Sequence, residues 1–274
     1  MNELLRLDNV FYSYDDLYPA LKGVSLQIFE GEKIAALGSN GAGKSTFFLC
    51  CNGVLTPQRG KIYLNGAQAA PKQLRQAVGL VFQDPDSQII AGTVENEVSF
   101  GPMNMRLQQD EVRERITSAL ERMNLQGYEK RAPHYLSGGE KKRVSIADIL
   151  AMKPVVMLFD EPTASLDPMN TQMLETALNE LSDSGITLVV STHDVDFAYR
   201  FATRGIVFSE GEVIADSSIE DVFSSSAIVA KAGLRKPLLY EAAELLRERF
   251  PNTALEFYPK HIGDFNELLA SIVY

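Results

Sequence analysis

Apolar and polar positions alternate along Leu5-Arg6-Leu7-Asp8-Asn9-Val10 and again along Val24-Ser25-Leu26-Gln27-Ile28. That period of two predicts antiparallel strands with one buried face. Lys33 to Leu37 instead carries a continuous apolar run, the pattern of a strand covered on both faces inside an α/β sheet. Comparable runs recur at Val78 to Phe82, Val155 to Phe159, Thr187 to Val190 and Ile206 to Phe208, each leading into polar or charged residues. Open parallel sheets bind ligands at the carboxyl ends of their strands, so those are the places to look for chemistry.

Between the runs, Val112, Ile116, Ala119, Leu120 and Met123 recur at spacings of three and four, as do Leu174, Ala177, Leu178 and Leu181. Both stripes predict helices facing the core. Pro85 to about Ala151 holds no clear strand run and reads as a mainly helical insertion between two sheet strands. From about Ser217 the pattern changes: Leu238, Ala242, Leu245, Leu246 and Phe250 form another apolar stripe, followed by an aromatic-rich tail with Phe257, Tyr258, Phe265 and Tyr274. The expected fold class is α/β, with a main domain over residues 1–215, a helical subdomain at about 85–151 and a small C-terminal appendage at 216–274.

Composition narrows this picture. With 274 residues, 45% hydrophobic and 23% charged, the chain has the material for a sizeable core. Its formal net charge of -10 lacks the basic balance needed to neutralise many phosphates, so no nucleic-acid partner is expected. The two cysteines, Cys50 and Cys51, are adjacent. Their Cα atoms lie about 3.8 Å apart across a trans peptide, short of the usual disulfide span, so both read as reduced thiols. Met1 to Val10 has no basic-then-apolar leader and no run has membrane length, which reads as cytosolic with any membrane role peripheral.

Chemistry enters at the end of the Lys33 to Leu37 strand. Gly38-Ser39-Asn40-Gly41-Ala42-Gly43-Lys44-Ser45-Thr46 follows that strand and precedes a helical stretch, the context a phosphate-binding P-loop requires. Glycines let the backbone wrap around phosphate oxygens, N–H groups at the helix start point at the anion, and Lys44 adds a positive charge. Ser45 is then placed to ligate Mg²⁺ beside bound ATP. At the end of Val155 to Phe159 stand two acids, Asp160 and Glu161. Unpartnered buried charge is costly, so this pair points to a metal or catalytic assignment: Asp160 toward Mg²⁺, Glu161 as base for water attacking a γ-phosphate. A third element, Leu136-Ser137-Gly138-Gly139-Glu140, precedes a helix and offers backbone N–H groups, a hydroxyl and a helix dipole to an anion.

That third element resembles the signature motif of the ATP-binding cassette family, and the resemblance extends over roughly residues 3–215. It implies a RecA-like P-loop core with an N-terminal antiparallel β subdomain and a helical signature subdomain. By the same resemblance Tyr14 stacks on adenine, with Phe11 and Tyr12 as competitors, and Gln83 touches Mg²⁺ and senses a transmembrane partner. Asp167, within Ser165-Leu166-Asp167, crosses a dimer interface, and His193 contacts the γ-phosphate. Each ATP then lies between the P-loop of one chain and Ser137 to Glu140 of a second, in a homodimer or heterodimer. Phe82-Gln83-Asp84-Pro85-Asp86-Ser87-Gln88-Ile89-Ile90, Thr93-Val94 and Phe100-Gly101-Pro102 are similar to the ATPases of energy-coupling-factor importers, most of all the cobalt-import type. The implied role is ATP hydrolysis at the cytoplasmic face of the cell membrane. It would energise import of cobalt, or else of nickel or a vitamin, through a transmembrane coupling subunit and a substrate-capturing membrane protein. The resemblance also implies that 216–274 supports dimer contacts. Glu140 departs from the frequent glutamine, and Asn96-Glu97 from the usual acidic pair. A soluble non-transport cassette ATPase would need a long coiled-coil insertion or tandem cassettes, and neither is in this sequence.

Overall fold

The computed structural model describes residues 2–15, 18–250 and 258–273, without the side chains of 271–273. Phe257 and Tyr274 of the aromatic tail, and Met1, lie outside them.

The alternating segments become β1 (Glu3–Ser13) and β2 (Pro19–Phe29), paired antiparallel with Leu5, Leu7, Leu21, Val24 and Ile28 turned inward. β3 (Lys33–Leu37) leads into α1 (Lys44–Asn52). β4 (Arg59–Leu64) and β5 (Ala67–Gln68) complete a four-stranded antiparallel sheet in the order β2-β1-β4-β5. Then come α2 (Pro71–Ala77) and β6 (Val78–Val81). The insertion is helical: α3 (Val94–Asn104), α4 (Gln109–Arg122) and α5 (Gly138–Ala151). β7 (Val156–Asp160), α6 (Pro168–Asp183), β8 (Thr187–Ser191), α7 (Val195–Phe201), β9 (Arg204–Ser209) and β10 (Glu212–Ser218) follow. The chain closes with α8 (Ile219–Ser224), α9 (Ser226–Lys231), α10 (Leu238–Arg249) and α11 (Ile262–Val273).

The second sheet runs β10-β9-β3-β8-β7-β6, parallel except for the edge strand β10. It separates two hydrophobic clusters. Ala35, Leu37, Met157, Phe159, Leu188 and Val190 face the cluster shared with α3 to α8. Ile34, Ala36, Val156, Leu158 and Val189 face the cluster shared with α1 and the antiparallel sheet. Burial on both faces is why these strands read as unbroken apolar runs.

Three strands escaped the hydrophobic pattern. In β4 only Ile62 is buried, β5 is exposed throughout, and no residue of the edge strand β10 is buried, so none carries a full apolar face. β10 also moves the boundary expected at 215/216: Asp216 pairs with Ile206 and Ser218 with Arg204, so the sheet continues through that point. The stripe read at Leu238 to Phe250 lies in α10 except for Phe250, but Leu238 and Leu245 are exposed while Tyr240 and Ala243 are buried.

Candidate functional site

The loop from Gly38 to Gly43 joins the carboxyl end of β3 to the start of α1. Gly38 adopts φ 140°, and a Cβ there would sit 2.3 Å from the carbonyl oxygen of Phe208, so only glycine fits. Lys44 is buried and curls back, its Nζ donating to the carbonyls of Gly38 at 2.7 Å and Ser39 at 3.1 Å. Burial lowers its pKa, while the nearby charges of Glu161 and Asp160 pull it back up. Asn40 to Thr46, Tyr14, Gln83, Asp160 and Glu161 line one cleft of about 430 Å³, with Tyr18, Pro19 and Ala20 closing the rest. Tyr14 is 64% exposed there, edge-on to Tyr12, with its hydroxyl 3.3 Å from Thr46 Oγ1. Phe11 and Tyr12 are not part of the lining. Cys50 and Cys51 sit behind the loop in the core; burial pushes the Cys50 thiol up to about 12 and Cys51 well above its usual range, so neither is a nucleophile.

The acid pair is held by β8. Parallel pairing sets Asp160 opposite Ser191, whose hydroxyl donates to the Asp160 carboxylate. The next residue, Glu161, takes a left-handed φ of 44°, unusual away from glycine, and its N–H is fixed by the Ser191 carbonyl at 3.1 Å and hydroxyl at 3.2 Å. Its carboxylate is nearly buried, with Oε2 2.9 Å from His193 Nδ1 and 3.4 Å from the His193 N–H donor. The His193 side chain is 69% exposed. Ser45, Gln83 and Asp160 present oxygen donors, which suit a hard cation such as Mg²⁺. Among the described residues no three His, Cys, Asp or Glu form a metal cage of their own, so that ion would share phosphate oxygens and water.

Ser137 to Glu140 and Asp167 lie outside the lining of this cleft. Ser137 caps α5 in a reciprocal box: its hydroxyl accepts from the Glu140 N–H at 3.3 Å, and Glu140 Oε2 accepts from the Ser137 N–H at 2.7 Å. Tyr128 donates to the other oxygen at 2.7 Å, and these bonds, the Ser137 N–H first, hold the Glu140 carboxyl below its ordinary range. The glutamate at this position thus serves its own helix. Asp167 caps α6 and accepts from the Asn170 N–H at 2.9 Å and side-chain amide at 2.6 Å. A Cβ on Gly139 would fall 2.1 Å from Asn170 Oδ1, so the two motifs pack directly together. Ser137 and Gly138 remain exposed.

Tyr18, Ser191 and Lys142 gave no motif signal, and Glu97 only a departure from the usual acidic pair. Tyr18 lies within the cleft, Ser191 organises both acids, and Glu97 is buried with Oε2 accepting from the N–H groups of Ile90 at 2.9 Å and Ala91 at 2.6 Å. Lys142, one turn past the signature, is buried; desolvation draws its pKa down to about 8 against the pull of Asp84 and Asp160. The His134 ring lies tilted against Tyr135, centroids 4.1 Å apart and planes at 46°.

Residues 21–164 match the ABC transporter family. The chain is 45% identical over 249 residues to the energy-coupling factor transporter ATP-binding protein EcfA of Methanothermobacter thermautotrophicus, covering 89% of this chain and 80% of that one. Its structure is similar to that of cbiO1 from Clostridium perfringens, described as part of the ABC transporter complex cbiONQ. The TM-score is 0.76 and the identity 38%, over 90% of this chain and 100% of the other. A dimeric ATP-binding cassette in a post-hydrolysis state, bound to ADP and Pi, gives a TM-score of 0.69 at 31% identity, over 79% of this chain and 99% of its own.

Proposed function

The chain belongs to the ABC transporter family as an ATPase subunit of the energy-coupling-factor type, and on that premise we propose that two copies close around MgATP and hydrolyse it to power cobalt import. The observation that carries the two-copy reading is the separation of the phosphate-binding surfaces: Lys44, Asp160 and Glu161 line the cleft, while Ser137 and Gly138 are exposed elsewhere on the same chain. A cleft open on one side needs a second copy's Ser137 to complete the anion site. The likeness to a dimeric cassette holding ADP and Pi supports this.

Within the closed site Lys44 and the N–H groups from Asn40 to Thr46 hold phosphate oxygens. Tyr14 offers an exposed ring for adenine. Mg²⁺, when bound, neutralises charge on the phosphates; Ser45 and Gln83 would hold it directly and Asp160 through water. Glu161 accepts the proton of the attacking water, and His193, against Glu161 Oε2, orients that carboxylate and reaches the γ-phosphate. Loss of the γ-phosphate releases the second copy, which converts chemistry into movement.

The cassette passes that movement to a transmembrane coupling subunit and a substrate-capturing membrane protein. Among the described residues no helix is long and apolar enough to cross a membrane. The proposed association is peripheral, at the cytoplasmic face beside those membrane subunits. Ile90, Phe100 and Met103, exposed by 74%, 55% and 63%, offer the apolar surface for it. The segment from α8 onward serves in accessory and dimer contacts, with an apolar groove between α10 and α11 lined by Ala242, Leu245, Leu246 and Phe265. Cobalt is favoured by the resemblance of Phe82 to Ile90, Thr93-Val94 and Phe100-Gly101-Pro102 to the cobalt-import ATPases.

Glu161→Gln tests the reading. ATP binding should persist, phosphate release should fall on the order of a hundredfold or more, and an ATP-bound dimer should accumulate in sedimentation velocity. Unchanged hydrolysis removes Glu161 as the base, and a persistent monomer in saturating MgATP removes the second copy. Cells carrying the chain with its membrane subunits should take up labelled cobalt; uptake of nickel or a vitamin instead overturns the substrate and leaves the ATPase role standing.

A further inference from the structure

β6 ends at Val81, and the two residues that follow leave the sheet while still carrying backbone groups that need partners. The Phe82 N–H donates to Gln88 Oε1 at 3.2 Å. The carbonyls of Phe82 and Gln83 both accept from one ammonium, Lys142 Nζ, at 2.9 and 2.7 Å. Lys142 is only 2% exposed. A cation buried to that degree is costly unless its donors are satisfied, and among the described residues the hydrogen bonds of Lys142 Nζ go to these two carbonyls. The pairing of β6 with β7 ends at Val81 opposite Phe159, one residue before this turn of chain.

Lys142 belongs to α5, and neighbouring positions on that helix grip the same loop. Lys141 pairs with Asp86 at 2.7 Å, and Gln88 Nε2 donates to the Ser145 carbonyl at 2.8 Å and to Asp148 at 3.2 Å. The helix whose N-terminus presents Ser137 is therefore fastened to the loop that places Gln83 on the cleft wall. Of these ties only Lys142 holds the Gln83 residue itself; the others hold positions 82, 86 and 88.

We propose that Lys142 is the positioning residue for Gln83: by clamping the Phe82 and Gln83 carbonyls it fixes where the Gln83 amide meets the metal–nucleotide, and it makes that position move with α5. The role rests on the reading of Gln83 as a ligand in the MgATP site. Closure that presses Ser137 on a second copy's phosphate then pulls Gln83 through one rigid helix, so engagement of the partner and completion of the metal site are mechanically linked. Lysine suits the task because one terminal nitrogen donates in several directions to backbone carbonyls, whereas a planar amide or guanidinium cannot converge on both in the same way.

The test is a double-mutant cycle on the full chain, with Lys142→Met, Gln83→Ala and the pair, measuring kcat, KM for ATP and the Mg²⁺ concentration for half-maximal rate. Lys142→Met should lower kcat about tenfold and raise the Mg²⁺ requirement several-fold, with KM for ATP within about twofold, as expected for loss of a charge-assisted anchor rather than of the phosphate grip. Adding it to Gln83→Ala should cost little more than Gln83→Ala alone. If Gln83→Ala is impaired while Lys142→Met matches the native chain, or if the two losses simply multiply, the positioning role is overturned and Gln83 keeps its part. If Gln83→Ala itself changes neither kcat nor the Mg²⁺ requirement, the reading of Gln83 fails instead, and the proposal with it. Should Lys142→Met not fold, Lys142→Gln, which retains a shorter donor, must show the same split at smaller amplitude; a variant with native kcat and Mg²⁺ requirement refutes the clamp.

Discussion

Ser191 shows how much of the site rests on one small side chain. Its hydroxyl donates to Asp160 and receives the Glu161 N–H, while its carbonyl receives that same N–H. Glu161 is held at φ 44°, a conformation that costs a non-glycine residue about 1 to 3 kcal/mol and persists only where surroundings enforce it. Removing the hydroxyl leaves Asp160 short of a partner and loosens the turn that aims the Glu161 carboxylate at His193. Ser191→Ala is expected to lower kcat about tenfold with ATP affinity nearly unchanged, and to lower stability by about 1 kcal/mol. Steady-state kinetics beside a denaturant melt would check both; a large rise in KM with native kcat would place Ser191 in nucleotide binding instead. The sequence marked the carboxyl end of the Thr187 to Val190 run as a place for chemistry, but not Ser191 within it. Lys44, Asp160 and Glu161 were legible because their residue types are costly or special where the apolar runs end, whereas a serine at a strand end is ordinary until its neighbour's backbone is known.

Elements were legible where burial imposed a period, and silent where it did not. β3, β7 and β8 bury both faces and α4 and α6 bury one stripe, so each announced itself. β4 and β10 sit toward sheet edges with little buried surface, and their hydrogen-bonded partners lie far along the chain or across a turn, beyond any local pattern. α5 carries a second kind of hidden information, the polar face that grips the loop after β6. On that face burial raises the Asp148 carboxyl to about 7; the charge of Glu97 also raises it, and the Gln88 amide works the other way. An acid whose folded pKa exceeds its unfolded value of about 3.9 stabilises the fold in its protonated form. That contribution is complete below the unfolded pKa and is lost as pH rises through about 7. Relative to Asp148→Asn, which keeps an acceptor for Gln88 and cannot ionise, the native chain should lose about 2 kcal/mol of stability between pH 5 and pH 8. Urea unfolding of the two proteins at both pH values decides it, and parallel losses would show that Asp148 does not titrate across this range.

At the scale of the molecule, the C-terminal segment is bound into the cassette more closely than its sequence pattern implied. Leu238 and Leu245, part of the obvious apolar stripe, face outward, while Tyr240 and Ala243 are buried and Tyr240 joins the same hydrophobic cluster as Phe159, Val190 and Phe197. The Tyr240 ring meets Tyr199 of α7 edge-on at 5.7 Å and stacks on Tyr258 at 4.2 Å. Tyrosine carries both apolar area and a hydroxyl, so a stripe of aliphatic side chains was the wrong guide to the inner face. Beside this contact Asp196, three residues past His193, accepts from the Arg235 guanidinium and from the Leu238 N–H at 2.6 Å, so α10 is anchored to the helix that follows His193. A segment that shares its core with the cassette should unfold with it. Truncation of a buried aromatic costs about 3 to 5 kcal/mol, so Tyr240→Ala should depress the melting temperature of the whole chain by several degrees while calorimetry still records one transition. Two separated transitions, with the ATP-sensitive one unmoved, would mean that the last helices form an independent unit and that the shared core does not couple them to the nucleotide site.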